Sequence, residues 1–144
     1  MEQIVEGVWL GDSLDAKFEN GLREANIRSV LNCAWDLSYE ITPSILQVKV
    51  GLIDGPGNRT RAMGLAINAL EKLTKLGPVL VHCHAGKSRS PSVIAAWLVR
   101  FRGWRSLEEA YAEIYRERPS MDPRYDPKVA LKQLAQDYLN GVED

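Results

Sequence analysis

One stretch constrains what this chain can fold into more than any other. His82-Cys83-His84-Ala85-Gly86-Lys87-Ser88-Arg89-Ser90 sits between a short apolar run, Pro78 to Val81, and a longer apolar run with helical spacing, Ser92 to Phe101. A short turn between a buried strand and a helix can curl so that successive backbone N–H groups point inward. The helix that follows presents its positive end to the same point, which makes a site for a phosphate dianion. Arg89 adds a planar, permanently charged fork able to hold two phosphate oxygens at once. The same donors favour a thiolate over a thiol at Cys83. The stretch is therefore expected to hold a nucleophile beneath a bound phosphorus.

Other chemistries for these residues fit less well. Gly86-Lys87-Ser88 matches the end of a nucleotide-binding loop, but that motif needs glycine where Val81 stands. His82, Cys83, His84 and the distant Cys33 could in principle supply four zinc ligands. Consecutive residues on an extended chain point to opposite faces, however, and no C-x-x-C spacing occurs. Cys83 could be a small buried hydrophobe at a strand end. That reading leaves Gly86, Arg89 and Ser90 as coincidences.

At 144 residues and 45% hydrophobic content, one domain spanning 1–144 can bury about two thirds of its unfolded surface without disulfides or metal. Two cysteines exclude a disulfide framework, and a catalytic thiol points to a reducing compartment. Glu2, Glu6, Asp12 and Asp15 near the N-terminus leave no apolar stretch for a signal peptide, so a cytoplasmic location is expected. The longest apolar uncharged run, Pro91 to Val99, is too short for an integral membrane segment. A net charge of −1 gives no reason to expect nucleic acid or an anionic membrane as partner. Nothing in the chain speaks to oligomeric state.

Short strands are expected at Ile4-Val5, Val8 to Leu10, Arg28 to Asn32 and Leu46 to Leu52. Helical periodicity at Met63, Ile67, Leu70 and Leu73 ends at Gly77, read as a C-cap. Val79 to His82 is a central strand. The next helix places Ser90 near its N-cap and Pro91 near its first position, with Val93, Ile94, Trp97, Leu98 and Phe101 as its buried face and Gly103 at its end. Ser106-Leu107-Glu108-Glu109 is a capping box for a helix running to Glu117, and Asp126-Pro127 starts a last helix packing through Val129, Leu131, Leu134 and Tyr138. The expected fold is an α/β sandwich. Its mostly parallel twisted sheet of about five strands is flanked by helices, with the phosphate loop between a central strand and a helix.

The run VLVHCHAGKSRS resembles the signature of the cysteine-dependent protein tyrosine phosphatase superfamily, and AGKSRS after HC most resembles its dual-specificity branch. The resemblance extends over nearly the whole chain, through Gly7 to Asp12, Ile27 to Asn32, Asp54, and the spacing of Ile114, Arg118 and Pro119. It implies a phosphoric monoester hydrolase acting through a phosphocysteine, on a phosphorylated protein or a small phosphomonoester, with no cofactor and no metal. His84, Ala85, Gly86, Lys87, Ser88 and Arg89 are the expected phosphate-binding residues, and Cys83, Arg89, Asp54 and Ser90 the expected catalytic ones.

Breaking a phosphate ester needs a proton for the leaving oxygen, and releasing the bound phosphate needs a base for water. One carboxyl group can do both in turn. Asp54 lies in Ile53-Asp54-Gly55-Pro56-Gly57-Asn58, a loop able to hang over the pocket, and the family places its general acid similarly. Asp36, Asp122 and Asp126 compete, the last two beside prolines and read as turn or cap residues. By resemblance, Ser90 hydrogen-bonds the Cys83 sulfur and His82 orders the loop from behind. Lys87 and His84 fall where lipid and inositol phosphate phosphatases of this superfamily often carry basic residues. A phosphoinositide or phospholipid-headgroup phosphatase is thus the alternative enzyme, and a non-catalytic phosphate-binding protein the alternative of another kind. Cys33, near the carboxyl end of its strand, is a candidate disulfide partner for Cys83 under oxidation, or else a core residue.

Overall fold

The structure is a computed structural model that describes residues 1–144. Its strands are β1 (Glu2–Val5), β2 (Val8–Gly11), β3 (Ser29–Ala34), β4 (Leu46–Leu52) and β5 (Val79–His82). Its helices are α1 (Ser13–Lys17), α2 (Glu19–Glu24), α3 (Thr60–Thr74), α4 (Arg89–Arg102), α5 (Leu107–Glu117) and α6 (Val129–Leu139). The sheet order is β1-β2-β5-β3-β4, with β1 antiparallel to β2 and every other pairing parallel. The expected α/β architecture, with the loop leaving the central strand, is what the chain adopts.

Every residue of β3 and β5 is buried, because both are inner strands covered on two faces. Alternation then sorts their side chains into two cores. Leu31, Val79 and Val81 join Val93, Ile94 and Trp97 under the helices α3 to α6, whereas Val30 and Leu80 join Ala16, Leu22 and Ile27 under α1 and α2. No helix is long and apolar enough to cross a membrane.

The parallel register aligns the strand ends that carry the site. His82 pairs with Gly11 on one side and Asn32 on the other. The residues that follow, Asp12, Cys33 and Cys83, therefore emerge side by side from one edge of the sheet, about 4.8 Å apart between neighbouring strands.

Several local expectations need correction. Helices α1 and α2 were not foreseen; α1 begins at Asp12, whose carboxylate accepts from Asp15 N while Asp15 accepts from Asp12 N, each at 2.9 Å. Ser88, not Ser90, stands at the N-cap of α4, and its hydroxyl accepts from Lys128 N (2.9 Å) rather than capping the helix. Ser90 and Pro91 lie within the first turn. Helix α3 ends at Thr74 with Lys75 at the C-cap, so Gly77 is not the cap. It turns the chain toward β5 with φ +130°, where a Cβ would stand 2.6 Å from Arg28 Cγ.

At the other end of α4, Gly103 does terminate the helix in the left-handed conformation. Ser106 caps α5 by accepting from Glu109 N (3.1 Å). Phe101 is 36% exposed and Val129 is 81% exposed, so neither packs as expected: Phe101 lies a turn beyond the core, and Val129 opens α6 outside it. Asp126 does not start α6, which begins at Val129 after Lys128; its carboxylate accepts from Asp122 N (2.9 Å).

Candidate active site

The loop from Cys83 to Ser88 is held from outside by its carbonyls. Ser13 N donates to His84 O (2.9 Å), while Arg118 donates through Nη2 to Ala85 O (3.2 Å) and through Nε to Gly86 O (2.9 Å). His82 Nδ1 lies 3.0 Å from Cys83 O. In a planar trans peptide the carbonyl and the next N–H point in opposite directions. Turning out four consecutive carbonyls therefore turns the N–H groups of His84, Ala85, Gly86 and Lys87 inward, toward the space above Cys83. Such a nest of N–H groups, at the positive end of α4, has the donors an anion needs.

The turn is possible because residue 86 is glycine. Its φ is +68°, and a Cβ there would stand 2.4 Å from Gly11 O and 2.7 Å from Arg118 Nη2.

Cys83 is 3% exposed, and its Sγ lies 3.1 Å from Ser90 Oγ. Behind it, burial lowers the pKa of His82, which keeps the imidazole neutral. Nδ1–H then donates to Cys83 O, and Nε2 accepts the hydroxyl of Tyr39. Burial pushes that phenol up to about 12, so it stays a donor. Both ring nitrogens are occupied, and His82 acts as a strut. Cys33 is fully buried beside this group; burial and the neighbouring Cys83 push its thiol well up, with Arg89 opposing them.

Arg89 reaches back over the loop with its side chain buried. Nη1 donates to Asp36 Oδ1 (2.9 Å) and Leu52 O (3.1 Å), whereas Nε is buried without a partner. The protein thus anchors one corner of the guanidinium, and the Nε edge has the geometry to take an oxyanion. Asp36 lies 3.7 Å from His84 Nε2. Its carboxyl is held below its ordinary value, first by the Arg89 hydrogen bond, which commits it to the guanidinium. Among the carboxylates weighed as proton donors, Asp36 is an anchor for Arg89.

Asp54 lies in the segment between β4 and α3, where Asn58 ties the turn by accepting from Ile53 N (2.8 Å) and donating to Ile53 O (2.8 Å). Its Oδ1 is 4.0 Å from Arg89 Nε, at the mouth of the loop. Asp122 is committed to Arg124, whose N–H and guanidinium both donate to it, and Asp126 to the Asp122 N–H. Neither joins the cluster. Lys87 makes no ion pair.

Arg118 is the residue whose role the sequence could not give. Its five-donor fork joins two loop carbonyls to Glu2 of β1. The Ile114, Arg118, Pro119 spacing marked the position, but its partners are backbone carbonyls, which carry no sequence signal. Tyr39 and Lys128 were missed because their partners, His82, Ser88 and Asp54, are distant in sequence.

The chain is 28% identical over 123 residues to human dual specificity phosphatase 28, covering 84% of this chain and 69% of that protein. It is 32% identical over 125 residues to mouse dual specificity protein phosphatase 14, covering 84% of this chain and 62% of that one. A plant relative, the Arabidopsis protein-tyrosine-phosphatase IBR5, is 52% identical over only 44 residues, which is 17% of its length. Across these three the chain spans from 17% to 69% of its relative. The crystal structure of human DUSP28 superposes with a TM-score of 0.86 at 24% identity, covering 99% of this chain and 97% of that one, and so shares its fold. The family model for the dual specificity phosphatase catalytic domain matches residues 8–137, and the chain belongs to that family.

Proposed function

We propose that this chain is a cysteine-dependent protein phosphatase that hydrolyses phosphotyrosine or phosphoserine/threonine esters through a phosphocysteine. The observation that carries the reading is the outward anchoring of four carbonyls around Cys83, which leaves N–H donors, the Arg89 Nε edge and a thiol sulfur facing one point.

Bound phosphate sits in the nest with its oxygens on the loop N–H groups and Arg89. The Cys83 thiolate attacks phosphorus opposite the ester oxygen: the S–P bond forms, the P–O bond to the leaving group breaks, and Asp54 gives its proton to the departing oxygen. Asp54, now a carboxylate, takes a proton from water as that water attacks phosphorus. The S–P bond breaks, inorganic phosphate leaves, and the Ser90 hydroxyl donates a hydrogen bond to the returning thiolate. The donors are preorganised for charge on the transferring phosphoryl group, where electrostatic stabilisation is worth most.

Membership of the dual specificity phosphatase family favours a phosphorylated protein over a lipid or inositol phosphate. The candidate nucleophile, arginine and acid stand together, which favours an enzyme over a phosphate-binding module. A cytoplasmic site of action fits the need for a reduced thiol.

The test is Cys83→Ser. It is expected to abolish turnover of para-nitrophenyl phosphate and phosphopeptides while retaining vanadate or phosphate binding, because the cradle is made of backbone and Arg89. Near-normal turnover in that variant overturns the reading.

A further inference from the structure

Lys128 belongs neither to the loop nor to the acid-bearing segment, yet it bonds to both. Its backbone N–H donates to Ser88 Oγ (2.9 Å), and its ammonium donates to Asp54 O (3.0 Å) and Asp54 Oδ2 (2.9 Å). Ser88 is the last loop residue before Arg89, and Asp54 Oδ1 is the oxygen that faces Arg89 Nε at 4.0 Å. We propose that Lys128 is a positioning residue for proton transfer: it pins Asp54 at the mouth of the phosphate loop and dictates which of its oxygens carries the proton. The proposal rests on the reading of Asp54 as the proton donor.

An ammonium has three donors and no acceptor, so the oxygen bonded to Lys128 must accept. Oδ2 is therefore the unprotonated oxygen of the acid form, and the transferable proton sits on Oδ1, on the pocket side. By holding Asp54 O as well, the same ammonium fixes the backbone and the side-chain torsion together. Asn58 ties the backbone on either side, at Ile53 and Gly55, and the ammonium adds the hold on the Asp54 carbonyl and its side chain.

An exposed ion pair is ordinarily weak because two long side chains must be ordered for it. Here the Lys128 backbone is already fixed, at Ser88 and at the start of α6, so only its stem is ordered.

Lys128→Met is a clean deletion, since it keeps the N–H bond to Ser88 and the apolar stem and removes only the ammonium. The measurement is kcat/KM against aryl phosphates of rising leaving-group basicity and a phosphoserine peptide, in wild type, Lys128→Met, Lys128→Arg, Asp54→Asn and the Asp54→Asn/Lys128→Met double variant. Proton donation matters most for basic leaving groups. The expected loss in Lys128→Met is about tenfold on the phosphoserine peptide and no more than about twofold on para-nitrophenyl phosphate. Lys128→Arg should recover most of it, and the Met substitution should add no loss in the Asp54→Asn background.

A merely structural lysine would slow all substrates equally and add its loss to that of Asp54→Asn. Either result, with Asp54→Asn itself impaired on the phosphoserine peptide, overturns the role of Lys128 and leaves that of Asp54 standing. If Asp54→Asn turns over the phosphoserine peptide like wild type, the assignment of Asp54 falls, and the role of Lys128 with it.

Discussion

Replacing Arg118 with methionine removes the outer support of the phosphate loop while keeping an unbranched side chain of similar reach. Arg118 is 5% exposed and donates to Gly86 O at 2.9 Å and Ala85 O at 3.2 Å, with Glu2 as its ion-pair partner. Hydrogen bonds to a charged donor are worth about 1.5–3 kcal/mol each, and the longer one belongs at the low end of that range. Glu2 is 37% exposed and can return to water, so its pair is discounted. The two carbonyl bonds together give about 3–5 kcal/mol. For a chain of this size each kcal/mol lowers Tm by about 2–4 °C, which places the expected drop at about 6–20 °C.

The catalytic consequence is separate from the thermal one. Once Ala85 O and Gly86 O are released, the peptide planes that aim the Gly86 and Lys87 N–H groups inward can rotate, and a carbonyl turned inward repels the phosphate that the N–H attracted. Measured well below the variant's Tm, vanadate affinity and kcat/KM should both fall by about 10- to 100-fold. Arg118→Lys, which keeps the charge but not the fork, should fall between. A Met variant that melts early yet binds vanadate and turns over substrate like wild type would refute the outward-carbonyl account of the nest.

Other consequences follow from single residues. If a thiolate and a protonated carboxyl are both required, kcat/KM is bell-shaped in pH with its maximum on the acidic side of neutrality. Asp54→Asn should flatten the limb that falls as pH rises and slow phosphoserine peptides far more than activated aryl phosphates. Burial lowers the pKa of His82 from 6.5, so above that value the side chain is neutral folded or unfolded; below it only the unfolded chain gains the proton, and stability falls. Tm measured from pH 7.5 to pH 5.5 should drop with a slope that His82→Asn reduces, and an unchanged slope contradicts a buried neutral histidine. Cys33 and Cys83 leave adjacent paired strands about 4.8 Å apart, within disulfide reach. Mild peroxide should give a Cys33–Cys83 crosslinked peptide, with activity restored by dithiothreitol; activity lost without that peptide assigns Cys33 to the core alone.

The site was more legible in the sequence than the scaffold that holds it. Cys83, Arg89, Ser90 and the loop between them are contiguous, so spacing and resemblance marked them as candidates, and Gly103 marked the end of α4. Asp54 could be singled out as a candidate because a glycine- and proline-rich turn is a local signal. Helices α1 and α2 were invisible because each spans fewer than two turns and shows no repeat of apolar positions. Periodicity also misjudged Phe101 and Val129, since it identifies the apolar face of a helix but not how far the covering layer extends. The bonds of Asp36 to Arg89, Tyr39 to His82, Arg118 to the loop and Lys128 to Asp54 join residues distant in sequence. Only the folded sheet brings those partners together.

The central claim is that Cys83 carries the phosphoryl group between two half-reactions. Its most direct test is rapid quench of the Asp54→Asn protein during turnover of para-nitrophenyl phosphate, followed by peptide mass spectrometry. That variant loses the base that activates water but keeps a substrate whose leaving group needs little help, so the intermediate should accumulate. The account predicts one phosphoryl group on the peptide containing Cys83, absent from the Cys83→Ser protein. Continued turnover with no phosphoryl group on the quenched protein, or with the group on another residue such as His84, would contradict it.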